Sequence, residues 1–97
     1  MIEHLVLLKM KPDASAEEAE RMIHGLKDLA QRIGAIRELT CGKNTSDQSQ
    51  GFSHGLLVRF ACAADLEAYI THPEHQRVVE ECLGPVVDDV IVVDYEA

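Results

Sequence analysis

Tyr69, His72, Pro73 and His75 lie within seven residues of one another, and His4 and His54 lie in apolar surroundings elsewhere in the chain. An imidazole that is neutral near pH 7 can take a proton. A phenol can donate a hydrogen bond to a carbonyl oxygen as negative charge builds on it. Together they suit proton abstraction next to a carbonyl. In this reading His75 is the base and Tyr69 the donor, while His4, His54 and His72 orient the substrate or hold the His75 tautomer. The positive end of a helix beginning at Pro73 favours the neutral form of His75.

Two other readings compete. The histidines can be core residues satisfied by backbone partners, which makes the chain a non-enzymatic interaction protein. They can also bind zinc, but their spacing matches no local zinc signature and no Asp or Glu is expected on the same faces. His24 belongs to a polar helix face and reads as a solvated surface residue.

The elements that must position these side chains follow from periodicity. Residues 2–10 read as a strand, with Ile2, His4, Val6, Leu8 and Met10 on one face and Leu5 and Leu7 on the other. Ser15 with Glu18 is a capping box opening a helix whose apolar stripe includes Ala19, Met22, Ile23, Leu26 and Leu29. Glu17 and Arg21 stand one turn apart and can pair. Gly34 suits the helix end.

Residues 36–42 and 52–60 read as strands around the polar loop 44–51. His54, Leu56, Val58 and Phe60 share one face of the second of these. Residues 65–70 read as a short helix. Pro73 forces a break at His72 and starts another helix, which runs to about Leu83 and places His75, Val79 and Cys82 inward. Residues 88–95 form a last strand, apolar on both faces.

The order β-α-β-β-α-β, with its second helix split, predicts a ferredoxin-like α+β fold: a four-stranded antiparallel sheet with helices on one face. Residues 1–97 read as one domain. The helices cover one face only, yet Leu5, Leu7 and Leu57 point to the other. Such a face calls for a second copy of the chain, so a homodimer is expected.

Composition narrows the partners. The chain has 97 residues, 46% of them hydrophobic, and a net charge of −8. That acidity argues against a nucleic-acid or anionic-membrane partner. Cys41, Cys62 and Cys82 form no metal or disulfide pattern and read as reduced thiols. The N-terminus lacks the order of a signal peptide, so a cytoplasmic location is expected.

The segments Ile2-Glu3-His4-Leu5-Val6, Gly51-Phe52-Ser53-His54-Gly55, Tyr69-Ile70-Thr71-His72-Pro73-Glu74-His75 and Val93-Asp94-Tyr95 resemble the stress-responsive dimeric A/B barrel (Dabb) family over nearly the whole chain. Tyr-x-x-His-Pro-x-His is the most specific of them. The resemblance implies a dimeric α+β barrel. It also implies small-molecule chemistry of the aldol, cyclase or lyase kind, since one plant member closes a polyketide with a tyrosine and a histidine that match Tyr69 and His75. Its other pocket histidines match His4, His54 and His72, and Met22, Ile23, Leu26 and Val79 are the nearest candidates for its apolar lining. The expected ligand is a small, partly apolar carbonyl compound or phenol, with no cofactor. Some members hold magnesium through backbone carbonyls, which here correspond to Ala30, Ile33 and Ile36. A wider analogy with related barrels adds small monooxygenases and haem degraders.

Overall fold

The computed structural model describes all residues from Met1 to Ala97. Strand β1 (Ile2–Met10) leads to helix α1 (Ala16–Arg32), strands β2 (Glu38–Lys43) and β3 (His54–Phe60), helices α2 (Ala63–Ile70) and α3 (Pro73–Val78), a π-helical segment (Val79–Leu83) and strand β4 (Val87–Glu96). All strand pairs are antiparallel, in the order β2-β3-β1-β4. This is the expected ferredoxin-like α+β fold.

Local chemistry explains most boundaries. The Ser15 hydroxyl accepts the Glu18 amide at 3.0 Å, and the Glu18 carboxylate accepts the Ser15 amide at 3.0 Å. These two bonds close the capping box and satisfy donors that a helix start leaves orphaned. Helix α1 ends at Ile33 without a left-handed residue. The glycine with positive φ is Gly51, at 87°, in the loop before β3. Strand β2 starts later than residue 36 because the Ile36 amide turns back to the Ile33 carbonyl at 3.2 Å. Strand β3 starts later than residue 52 because the Phe52 amide closes a turn on the Ser49 carbonyl at 3.0 Å. Glu17 and Arg21 form no ion pair. The close pair on α1 is Asp28 with Arg32, at 2.6 Å.

Alternation divides the sheet as expected. Val6, Leu8, Leu56, Val58 and Phe60 are buried beneath the helices together with Met22, Leu26, Leu29, Tyr69 and Val78. This contiguous core supplies most of the hydrophobic stabilisation. One close approach went unseen in the sequence: a Cβ at Gly25 would sit 3.0 Å from Cys82 Sγ. Glycine there lets α1 lie against the π-helical segment. The last helix ends where expected, but Val79–Leu83 is wound more widely, with the Gly84 amide reaching the Val79 carbonyl five residues back at 2.8 Å. Periodicity does not separate such a wide turn from an α-helix.

The other sheet face lies bare. The register aligns Thr40, Leu57, Leu5 and Val93 in one row and Gly42, Gly55, Leu7 and Ile91 in the next. Ile91 is 42% exposed, Val93 43% and Tyr95 50%. At the polar end of this face Arg59 bridges Glu3 at 3.0 Å and Glu38 at 3.6 Å. No helix is long and apolar enough to cross a membrane.

Candidate functional site

The helices pack over β1, β2 and β3, leaving the helix-side residues of β4 uncovered. Between that strand and the split helix lies a cavity of about 330 Å³ with mostly apolar walls that include Val6, Leu26, Val79, Leu83, Val90 and Val92. Its polar groups are His4, Tyr69, His75 and Asp94. A mainly apolar hollow with a few convergent polar groups is the usual form of a small-molecule site.

Each polar group is held by a different element. Tyr69, in the last turn of α2, is 1% exposed. Its ring lies 5.1 Å from Phe60 and 5.8 Å from His4, centroid to centroid. Burial pushes its pKa up to about 12, so the phenol keeps its proton at neutral pH.

His75, in the first turn of α3, lies 4.5 Å from the Tyr69 ring. Its Nδ1–H donates to the Ile70 carbonyl at 3.1 Å. A carbonyl can only accept, so this bond places the ring proton on Nδ1 and the lone pair on Nε2. Burial is the main cause that lowers the His75 pKa, with His4 and His72 adding to it and the Ile70 bond opposing it. The neutral ring expected from the sequence is therefore produced chiefly by desolvation.

His4 Nδ1 donates to Asp94 Oδ1 at 2.5 Å, across the β1–β4 ladder where the two residues are register partners. A carboxylate behind an imidazole fixes its tautomer and orientation. Asp94 was missed. The expectation that no acid shares the histidine face fails here, because Val90, Val92 and Asp94 alternate onto that face while Ile91, Val93 and Tyr95 take the other. The alternation was legible, but the register that sets Asp94 opposite His4 on β1 was not.

The remaining candidates lie elsewhere. His72 caps α3, its Nδ1 accepting the Glu74 amide at 3.1 Å, and it does not line the cavity. His54 sits four register positions along the sheet from His4, opposite Leu8, and lines a different hollow with Ile23. Met22 is wholly buried in the core. Leu26 and Val79 do line the Tyr69 cavity. The fold thus gathers two imidazoles and a phenol, not four imidazoles.

No group of three or more His, Cys, Asp or Glu side chains is disposed to hold a metal ion. Of the three carbonyls that the resemblance offers to magnesium, that of Ile33 already accepts the Ile36 amide.

One buried ring, His54, and one half-buried ring, His75, make stability depend on pH. Burial lowers the pKa of both His54 and His75 below the ordinary imidazole value, so the unfolded chain binds protons that the folded chain refuses. Stability is full above about pH 6.5 and falls as pH drops below it, by at most about 1.4 kcal/mol per pH unit for each ring. Urea unfolding between pH 7.5 and 5.5 should show this slope, and the double variant His54→Gln, His75→Gln should flatten it. An unchanged slope in the variant rejects the assignment.

Residues 2–97 match the Stress responsive A/B Barrel Domain (Dabb) family. The chain belongs to that family. It is 36% identical over 97 residues to a stress-response A/B barrel domain-containing protein of Arabidopsis thaliana, covering 100% of this chain and 37% of that protein. It spans less than half the length of the first curated relatives it matches. A 76-residue stretch is 26% identical to olivetolic acid cyclase of Cannabis sativa, covering 76% of this chain and 75% of that protein. Among solved structures, a dimeric ferredoxin-like protein of Bacteroides fragilis superposes with a TM-score of 0.85 at 27% identity, covering 99% of this chain and 95% of that one. This Dabb chain thus shares its fold with proteins that are dimers.

Proposed function

We propose that this Dabb chain works as a homodimer closed across the bare sheet face, and that each protomer takes a small, partly apolar carbonyl compound or phenol into the Tyr69 cavity. His75 Nε2 removes a proton next to the carbonyl. The Tyr69 hydroxyl donates to the carbonyl oxygen as it gains negative charge. The His4–Asp94 pair, on the same cavity wall, orients the substrate. Bond formation by the resulting enolate is aldol or cyclase chemistry, and the reverse step is lyase chemistry.

The observation that carries this reading is the Ile70 carbonyl bond to His75 Nδ1. It leaves a neutral imidazole with a defined basic nitrogen beside a protonated phenol, at an apolar wall. The name of the cyclase relative is in keeping with it.

A thermal-shift screen with phenols, β-diketones and short polyketide mimics tests the proposal. A ligand held at about tenfold its Kd adds about 1.4 kcal/mol to the folded state and raises Tm by roughly 6 °C or more in a domain of this size. The shift should vanish in a Tyr69→Phe, His75→Ala double variant. A flat screen, or shifts that survive the double substitution, removes the proposal in favour of a non-enzymatic interaction protein.

A further inference from the structure

At the far end of β3, roughly 13 Å along the strands from His4 at ~3.3 Å per residue, the fold holds a second cavity of about 320 Å³ between α1, β1 and the β2–β3 end. Met10, Ala14, Ala19 and Ile23 make its apolar wall, and Lys43, Ser53 and His54 contribute polar groups. His54 is 4% exposed. Its Nδ1 is bonded to Ser53 Oγ at 2.8 Å, yet its Nε2 is the only buried side-chain nitrogen or oxygen with no hydrogen-bond partner. Buried polar groups are almost always partnered, because an unmade bond carries the full desolvation cost.

Lys43 is the register partner of His54 on β2. Directly opposed strand residues present their side chains to the same face, so the ammonium belongs to the same cavity. Lys43 forms no ion pair and no side-chain hydrogen bond, in a chain whose 17 acids outnumber its 9 Lys and Arg residues. We infer that this cavity is a second ligand site, separate from the Tyr69 cavity, for a small carboxylate with a short apolar tail.

The chemistry of the wall selects that class. Burial first, and Lys43 second, hold the His54 pKa low, so the ring is neutral. With the Ser53 hydroxyl donating to Nδ1, Nε2 carries the proton and donates to a carboxylate oxygen. Lys43 supplies the countercharge, and Met10, Ala14, Ala19 and Ile23 receive the tail. One cation beside apolar walls suits a singly charged head group better than a phosphate. Glu20 on the rim opposes an anion, but its side chain is 63% exposed, so water screens it. The site lies on the helix side of the sheet, so pairing of the bare faces leaves it open.

The test is a titration of the intact protein with sodium hexanoate and with hexan-1-ol, followed through the ring ¹H–¹⁵N resonances of the histidines, with His54→Gln assigning the His54 signals. Hexanoate should move the His54 signals saturably. Hexan-1-ol should bind at least about tenfold more weakly, and Lys43→Met, an exposed substitution that leaves the core intact, should weaken hexanoate about tenfold, as expected for losing one charged partner. The inference is overturned if the His54 signals do not move, if the alcohol or Lys43→Met matches hexanoate on the wild type, or if the shifts are confined to His4 and His75. The last outcome would place the carboxylate in the Tyr69 cavity and leave the proposed function standing.

Discussion

Ile91→Lys with Val93→Lys should leave the protein a monomer of 10.7 kDa in sedimentation at micromolar concentration, whereas the wild type should sediment at twice that mass. Both side chains lie on the sheet face that no helix covers, in register with Leu7 and Leu5. In the proposed dimer this face meets its copy, so each substitution buries an unpaired ammonium. Leaving a charge uncompensated in such a place costs about 3–5 kcal/mol, which is roughly a thousandfold in the dissociation constant at 4 kcal/mol. The same substitutions are mild for the isolated subunit, because residues 42% and 43% exposed already touch water. The monomer should therefore keep its secondary structure by circular dichroism. A wild-type protein that sediments as a monomer, or a double-lysine variant that remains dimeric, shows that this face is not the interface.

His75→Ala should lower turnover of any substrate found by the ligand screen by about 100- to 10,000-fold, the usual worth of a positioned acid–base group. Tyr69→Phe should lower it by about 100- to 1,000-fold, the range seen when one donor to a developing oxyanion is removed. The two effects should not add in full, since the rings lie 4.5 Å apart and serve one transition state. The pH profile supplies an independent check. The base must be unprotonated, and burial lowers its pKa. The acid limb of kcat/KM should therefore fall at a pH below the ordinary imidazole value of about 6.5, and the alkaline side should stay flat until the phenol ionises near 12. Undiminished turnover in both single variants removes His75 and Tyr69 from the mechanism.

The sequence discloses local features well because their causes lie within a few residues. The Ser15–Glu18 box, the break at His72-Pro73 and the alternation of β1 each depend on neighbours in the chain, and each stands where periodicity and capping chemistry place it. The bare sheet face was legible for the same reason: Leu5, Leu7 and Leu57 fall opposite the histidine faces by simple parity. Features that depend on how distant elements meet were not legible. Asp94 becomes a site residue only because β4 pairs with β1 in one register. His54 leaves the Tyr69 site only because antiparallel pairing puts it beside Leu8, at the far end of the strands from His4. The π-helical turn and the glycine contact at Gly25 arise from helix-on-helix packing, which a single apolar stripe does not specify. Tyr69 and His75 meet because both flank the proline break, so the most local part of the site was also the part that spacing revealed.

The pairing of His4 with Asp94 has a consequence for how the protein is made. Of the four strands of this domain, the central β1 is synthesised first and one of its two neighbours, β4, fourth, with residues 4 and 94 facing each other and the amide of Ala97 returning to the carbonyl of Met1 at 2.9 Å. Until residues 87–96 emerge, one edge of β1 has nothing to bond to. Joining strands so far apart in the chain is entropically slow, and an unpaired apolar edge invites wrong partners. A nascent chain halted short of β4 would thus hold Tyr69 and His75 beside a cavity that lacks a wall, and its open strand would be a target for chaperones.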